Sequence, residues 1–273
     1  MPAAAAAPAG PAPDPYHTFG QIVCITLADR PDRRAHAEAS FRAISPALAR
    51  RVRFFVAQRH PGGGIHGCFD SHVRVVRAAY DAGVQRLLVF EDDVRPTPSY
   101  ADAHVAHACR FMDAFPGAWD IFYLGYFPIN LAPGGTPFVA APAVPHWPHI
   151  VRYNALAAHA LVYSRAGMER ALATYEPYIG RMHYDIYLAR YANITGFCYT
   201  PMLFDQHMCL PSDIGPANRM EAIGRRAQCL ADRSMVSYRV SLWKDLADGA
   251  SPILAIAILM LLLGALLVGD GRA

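Results

Sequence analysis

The chain has 273 residues, enough for one large unit or two small ones with a proper core. At 53% hydrophobic and 17% charged residues it falls outside the disordered and acidic solvating classes. A formal net charge of +3, from 25 Lys+Arg against 22 Asp+Glu with no basic stripe, makes no case for nucleic acid as a partner. Apart from Met1, residues 1–15 are Ala and Pro with one Gly and one Asp. That stretch has neither the basic start nor the apolar run of a secretory signal, so residues 1–19 read as an extended leader. Short apolar runs then alternate with helical patterns. Strands are predicted at residues 21–28, 52–58, 86–90, 119–126, 159–164 and 196–204. Helices are predicted at 31–44, opened by Pro31, at 66–82, ended by Gly83, and at 97–115, 165–174 and 183–191. A Pro/Gly-rich connector fills 128–148. This alternation makes residues 20–216 an α/β unit with a mainly parallel, Rossmann-type sheet flanked by helices. Ligands of such sheets sit at the carboxyl ends of strands.

Beyond it, residues 217–248 form an Arg-containing linker or helical segment. Residues 249–269 carry no charge, and at about 1.5 Å per residue they reach across a hydrocarbon core. The run is apolar on every side, which favours a C-terminal transmembrane helix over a helix buried in a soluble core. Arg225, Arg226, Arg233, Arg239 and Lys244 precede it and only Arg272 follows, which places the N-terminal unit at the cytoplasmic face. In that topology the sequon Asn193-Ile194-Thr195 meets no glycosylation machinery. The six cysteines form no CxxC pair, which reads as free, mostly buried thiols in a reducing compartment, without a disulfide scaffold or a zinc site.

The sharpest chemical feature is Glu91-Asp92-Asp93, directly after the strand RLLVF. Alternation lets Glu91 and Asp93 share one face, and oxygen ligands of this kind suit Mn²⁺ or Mg²⁺. A solvated acidic turn is the competing reading. Gly62-Gly63-Gly64 leads into a helix whose first amides can hold a phosphate, or it is a plain loop. Arg30 and Arg33 either face phosphates at the first strand end or decorate a helix start. His104 and His107, at i and i+3, have no carboxylate at ligand spacing and read as surface residues; His146 and His149 receive no role.

Six segments in order resemble glycosyltransferase family 25: CITLADRPDRR, GCFDSH, LLVFEDDV, DIFYLG, AHALVYSRAGMERAL and DQ…PSDI, spread over residues 24–214. The resemblance implies a GT-A-like fold and a metal-dependent, inverting transfer from a UDP-hexose, galactose or glucose, to a glycan, glycolipid or protein acceptor. Carried onto this sequence, it makes Asp93 the principal metal ligand, with Glu91 and Asp92 on the metal, the ribose or the sugar. Ser71 and His72 fall near the donor, unless they are simply a helix face packed on the sheet. His207, with Asp205 as its rival, is the candidate third metal ligand. Asp185 is the leading base, although a carboxylate in a first helical turn also stabilises that helix. Asp213 is the rival base, or it orients the acceptor. Two other functions remain open: a family member that binds nucleotide-sugar or glycan without turnover, and a nucleotidyltransferase.

Overall fold

The computed structural model describes residues 14–130, 143–207, 210 and 213. Most of the leader, the linker and the expected span at 249–269 lie outside the described residues, within which no helix is long and apolar enough to cross a membrane. After a short 3₁₀ turn at Pro15–Thr18, the chain runs β1 (Gln21–Leu27), α1 (Pro31–Ile44), α2 (Pro46–Arg51), β2 (Val52–Ala57), α3 (Gly64–Asp81) and β3 (Arg86–Glu91). It continues with β4 (Val94–Pro96), α4 (Asp102–Ala114), β5 (Ile121–Asn130), β6 (Ala143–Val144), β7 (Trp147–Arg152) and β8 (Ala155–Ser164). α5 (Arg165–Ala173), α6 (Tyr184–Arg190), β9 (Gly196–Tyr199) and β10 (Phe204–Gln206) complete the fold.

Eight strands form one sheet in the order β2-β1-β3-β8-β5-β9-β7-β6. β7 and β8 run against the other six, so the sheet is mostly parallel in direction while β8 makes antiparallel pairs with both β3 and β5. β4 pairs with β10 in a separate antiparallel ribbon. Successive strand residues enter opposite layers, as a period of two requires. Leu87 and Val89 of β3 pack with Phe69, Val76, Leu172 and Tyr187 on the face covered by α3, α5 and α6. Leu88 and Phe90 pack with Phe41, Val105, Phe111 and Met112 on the face covered by α1 and α4. A strand buried on both faces reads as an uninterrupted apolar run, which is why RLLVF shows no alternation. Gly125 of β5 is required by close approach, because a Cβ there would stand 2.3 Å from the His159 ring and 2.6 Å from the Phe204 carbonyl.

Several boundaries differ from expectation. α4 begins at Asp102, not 97, because Thr97 is bonded through its amide and hydroxyl to the Leu203 and Met202 carbonyls and a turn closes at Tyr100. The strand expected at 196–204 is two strands, divided where the Thr200-Pro201 peptide is cis. The connector at 128–148 contains β6 and the start of β7, while residues 131–142 lie outside the described set. The unanticipated α2 is stabilised by Ser45, whose Oγ accepts from the amides of Ala47 and Leu48.

Candidate functional site

A cleft of about 270 Å³ opens at the carboxyl ends of the parallel strands β1, β2 and β3. Residues 25–27 of β1, Ala57 of β2 and Glu91 of β3 wall it on the sheet side. α3 closes the opposite wall with Gly63, Gly64, Gly67, Cys68, Ser71 and His72. Gly63 caps α3 with φ 91° and ψ 175°, a backbone conformation open essentially to glycine alone. Gly63 and Gly64 thus bring the start of α3 to the cleft.

The acidic triplet divides. β3 ends at Glu91, so strand alternation does not extend to Asp92 and Asp93, which lie in the turn before β4. Glu91 accepts from His72 Nε2 at 2.9 Å and from Gln206 Nε2 at 3.4 Å. Asp92 accepts from Thr26 Oγ1 at 2.7 Å and from Arg33 Nε at 2.6 Å. Arg33 also donates through Nη2 to Asp93 Oδ2 at 2.8 Å. Arg33 therefore clamps Asp92 to Asp93, while Glu91, at the end of β3, is bonded instead to His72 of α3.

The electrostatics follow from this packing. Burial opposes the Arg33 charge, but Asp93 and Asp92 outweigh it and keep the guanidinium protonated. Burial raises the Asp92 carboxyl despite Arg33 and Thr26. Asp93 is raised to about 7, first by burial and then by the charges of Glu91 and Asp92, against Arg33. Burial also acts on Glu91, where the hydrogen bond from His72 prevails and holds the carboxyl below its ordinary range. The Cys68 thiol is pushed well up by burial and by Glu91.

Beside this cluster, Asp93 Oδ1, His207 Nδ1 and His72 Nδ1 are each buried without a hydrogen-bond partner. The His207 amide donates to the Asp93 carbonyl at 2.7 Å, so the ribbon of β4 and β10 holds the two residues side by side. A carboxylate and an imidazole with ligating atoms unused, the carboxyl raised first by burial and then by neighbouring negative charge, are donors of the kind a divalent cation takes. Asp205, the rival of His207, is spent otherwise: it accepts from Arg95 Nη2 at 3.2 Å and from the Gln206 amide at 2.9 Å.

The remaining expected residues are distributed as follows. Ser71 lines the cleft and donates to the Gly67 carbonyl at 2.6 Å. Asp213 lines it too, held by Arg30, by Arg59 Nη2 at 2.7 Å and, more distantly, by Arg33 Nη1 at 3.8 Å. Asp185 is not among the lining residues. Its two oxygens accept from the amides of Ala157 and Ile186, each at 2.8 Å, tying α6 to the start of β8. His104 and His107 are half-buried and gather against His149, with ring centroids 5.4 and 5.9 Å from it. Sequence reasoning missed Thr26, Arg59, Gln206 and Cys68. Thr26, Cys68 and Gln206 each fall inside a quoted segment, and Cys68 carried a further signal, standing four residues before His72 on the same helical face inside GCFDSH.

No family model matches the chain. It is 27% identical to the inactive glycosyltransferase 25 family member 3 of Homo sapiens, over 69% of this chain and 32% of that protein. The counterparts from Bos taurus and Rattus norvegicus are each 26% identical, over 69% of this chain and 32% and 34% of theirs. The relatives are glycosyltransferase 25 family members. The chain spans about a third of the length of these curated relatives. Among solved structures, A197 from STIV matches with TM-score 0.42 and 8% identity, over 65% of this chain and 81% of that one. A glycosyltransferase involved in glycosylation of the major capsid of PBCV-1 matches with TM-score 0.41 and 11% identity, over 76% and 98% of the two chains. The family 25 likeness agrees with the six ordered motifs, which between them supply β1, the cleft face of α3, and β3 with its acids.

Proposed function

We propose that the cleft binds a nucleotide-sugar, a UDP-hexose carrying galactose or glucose, and that the unit is a GT-A-like inverting hexosyltransferase acting on a glycan, glycolipid or protein. The observation that carries this reading is the pair of unused ligating atoms, Asp93 Oδ1 and His207 Nδ1, beside a wall of arginines at the strand ends. Those two residues would hold Mn²⁺ or Mg²⁺, which neutralises charge on a departing diphosphate. Arg30, Arg33 and Arg59 offer cationic donors to the phosphates, and the glycines at the start of α3 line the same space. A phosphate taking up these arginines would release Asp213 to accept the proton of the acceptor hydroxyl. The new bond to the anomeric carbon forms as its bond to the diphosphate oxygen breaks, on opposite faces. The span at 249–269 would tether the unit to the cytoplasmic face of a membrane.

One observation favours a second reading, binding without turnover. Both expected bases are engaged, Asp185 by two backbone amides and Asp213 by arginines, and the matched relatives are named inactive. UDP release and thermal shift with UDP-galactose and UDP-glucose, with and without Mn²⁺, separate the two. Transfer chemistry gives Mn²⁺-dependent UDP release that Asp93→Asn abolishes. A metal-dependent shift of about 2.7 kcal/mol at a hundredfold excess of ligand over Kd, without release, establishes the second reading. Neither shift nor release refutes both.

A further inference from the structure

A different donor set lies on the α3 wall of the cleft. Cys68 and His72 are one turn apart on one helical face, and Glu91 meets them from the end of β3. A sulfur, a ring nitrogen and a carboxylate oxygen from these three residues all lie within 4.8 Å of one another, and among the described residues no other such group is found. His72 is 1% exposed, its ring is stacked on Tyr184 with centroids 4.6 Å apart, and its Nδ1 is buried without a hydrogen-bond partner. The ring is therefore fixed in place with Nε2 turned to Glu91 and Nδ1 on its far side able to carry the ring proton.

We infer that Cys68, His72 and Glu91 form a second cation site, a thiolate–imidazole–carboxylate set for a borderline divalent ion of the Zn²⁺ type. Thiolate and imidazole select Zn²⁺ or Co²⁺, whereas Mn²⁺ and Mg²⁺ prefer oxygen donors. The site is thus chemically distinct from the one expected at Asp93 and His207, and it stands whether or not the cleft takes a nucleotide-sugar. Around one Zn²⁺, with Zn–S near 2.3 Å and Zn–N and Zn–O near 2.0–2.2 Å, such donors sit roughly 3–4 Å apart, a spacing that three donors within 4.8 Å of one another reach by small side-chain adjustments. Three protein ligands leave a fourth position for a water or a ligand oxygen from the cleft. The cation takes the place of the hydrogen between His72 Nε2 and Glu91, the ring keeping its proton on Nδ1, and the one proton released, from the thiol, passes to solvent. The absence of CxxC pairs excludes a four-cysteine site and is silent about a single cysteine joined by a helix neighbour and a strand end.

Titration of the full chain with Co²⁺ tests this. The expected result is a thiolate-to-cobalt charge-transfer band in the near ultraviolet that saturates at one equivalent, is displaced by Zn²⁺, persists in Asp93→Asn and vanishes in Cys68→Ser. His72→Gln weakens Co²⁺ binding by at least about tenfold, since loss of a mere outer-shell partner costs that much. No band, or a band that survives Cys68→Ser, overturns the proposal. A second measurement needs no variant: Zn²⁺ should protect Cys68 of the wild type from iodoacetamide, read by peptide mass mapping. Equal labelling with and without Zn²⁺ overturns it as well. Loss of nucleotide-sugar binding would leave the band untouched, so the two readings fail separately.

Discussion

Arg33 is the residue on which the cleft's electrostatics turn, and Arg33→Met isolates its charge. Methionine keeps most of the apolar stem but leaves Asp92 and Asp93 without the guanidinium that reaches them at 2.6 and 2.8 Å. The three side chains are only 11%, 8% and 15% exposed, so solvent screening is slight. Removing one partner from a buried ionic group costs about 3–5 kcal/mol, because the remaining charges stay desolvated. For a unit of this size that corresponds to a fall in Tm of about 6–20 °C. The sign of the pH dependence follows from the same geometry. Both carboxyls are already raised by burial, and loss of Arg33 raises them further. The variant's deficit is therefore complete above those raised values and shrinks as falling pH protonates the pair. Urea unfolding of both proteins at pH 8 and pH 5 measures it. A deficit below about 1 kcal/mol at pH 8, or one that grows in acid, refutes the account of the clamp.

Three further outcomes are expected. Phe90→Ala opens a cavity between Phe41 and Phe204 and should cost about 3–5 kcal/mol by urea unfolding. Gly63→Ala meets no atom within 4 Å, yet its φ of 91° should cost about 1–3 kcal/mol from backbone strain alone, read as a drop in Tm. His159 is held below the ordinary histidine range by burial, so it resists protonation when folded. The stability it supports is complete above about pH 6.5 and is lost as pH falls below it, and His159→Gln should flatten that acid limb in melts from pH 7.5 to 5.

The elements legible in the sequence are those whose signal is local. α1 occupies Pro31–Ile44 as expected, because Pro31 at its first turn presets φ and has no amide to waste. The core strands were visible as apolar runs, since both of their faces are buried. β4 was missed, and β10 was not separated from β9, because three residues make a strand only when a distant partner pairs with them. The acids of residues 91–93 were found, but their division was not, because it depends on where β3 stops and on Arg33 arriving from α1. Asp185 was placed correctly in a first helical turn, while its use is set by the Ala157 amide, at a residue with φ 72° that nothing in the surrounding sequence announces. The histidines of α4 looked superficial because His149, which draws them together, lies beyond a connector that carried no motif.

The double packing of β3 has a mechanical consequence. Its residues are wedged alternately into two opposed layers, so the strand cannot tilt toward one without tearing from the other. The backbone that delivers the acids is the stiff jaw of the cleft. Adaptation to an incoming molecule falls to the facing jaw, the glycine-led opening of α3, and to the long side chains of Arg33 and Arg59 that line the cleft.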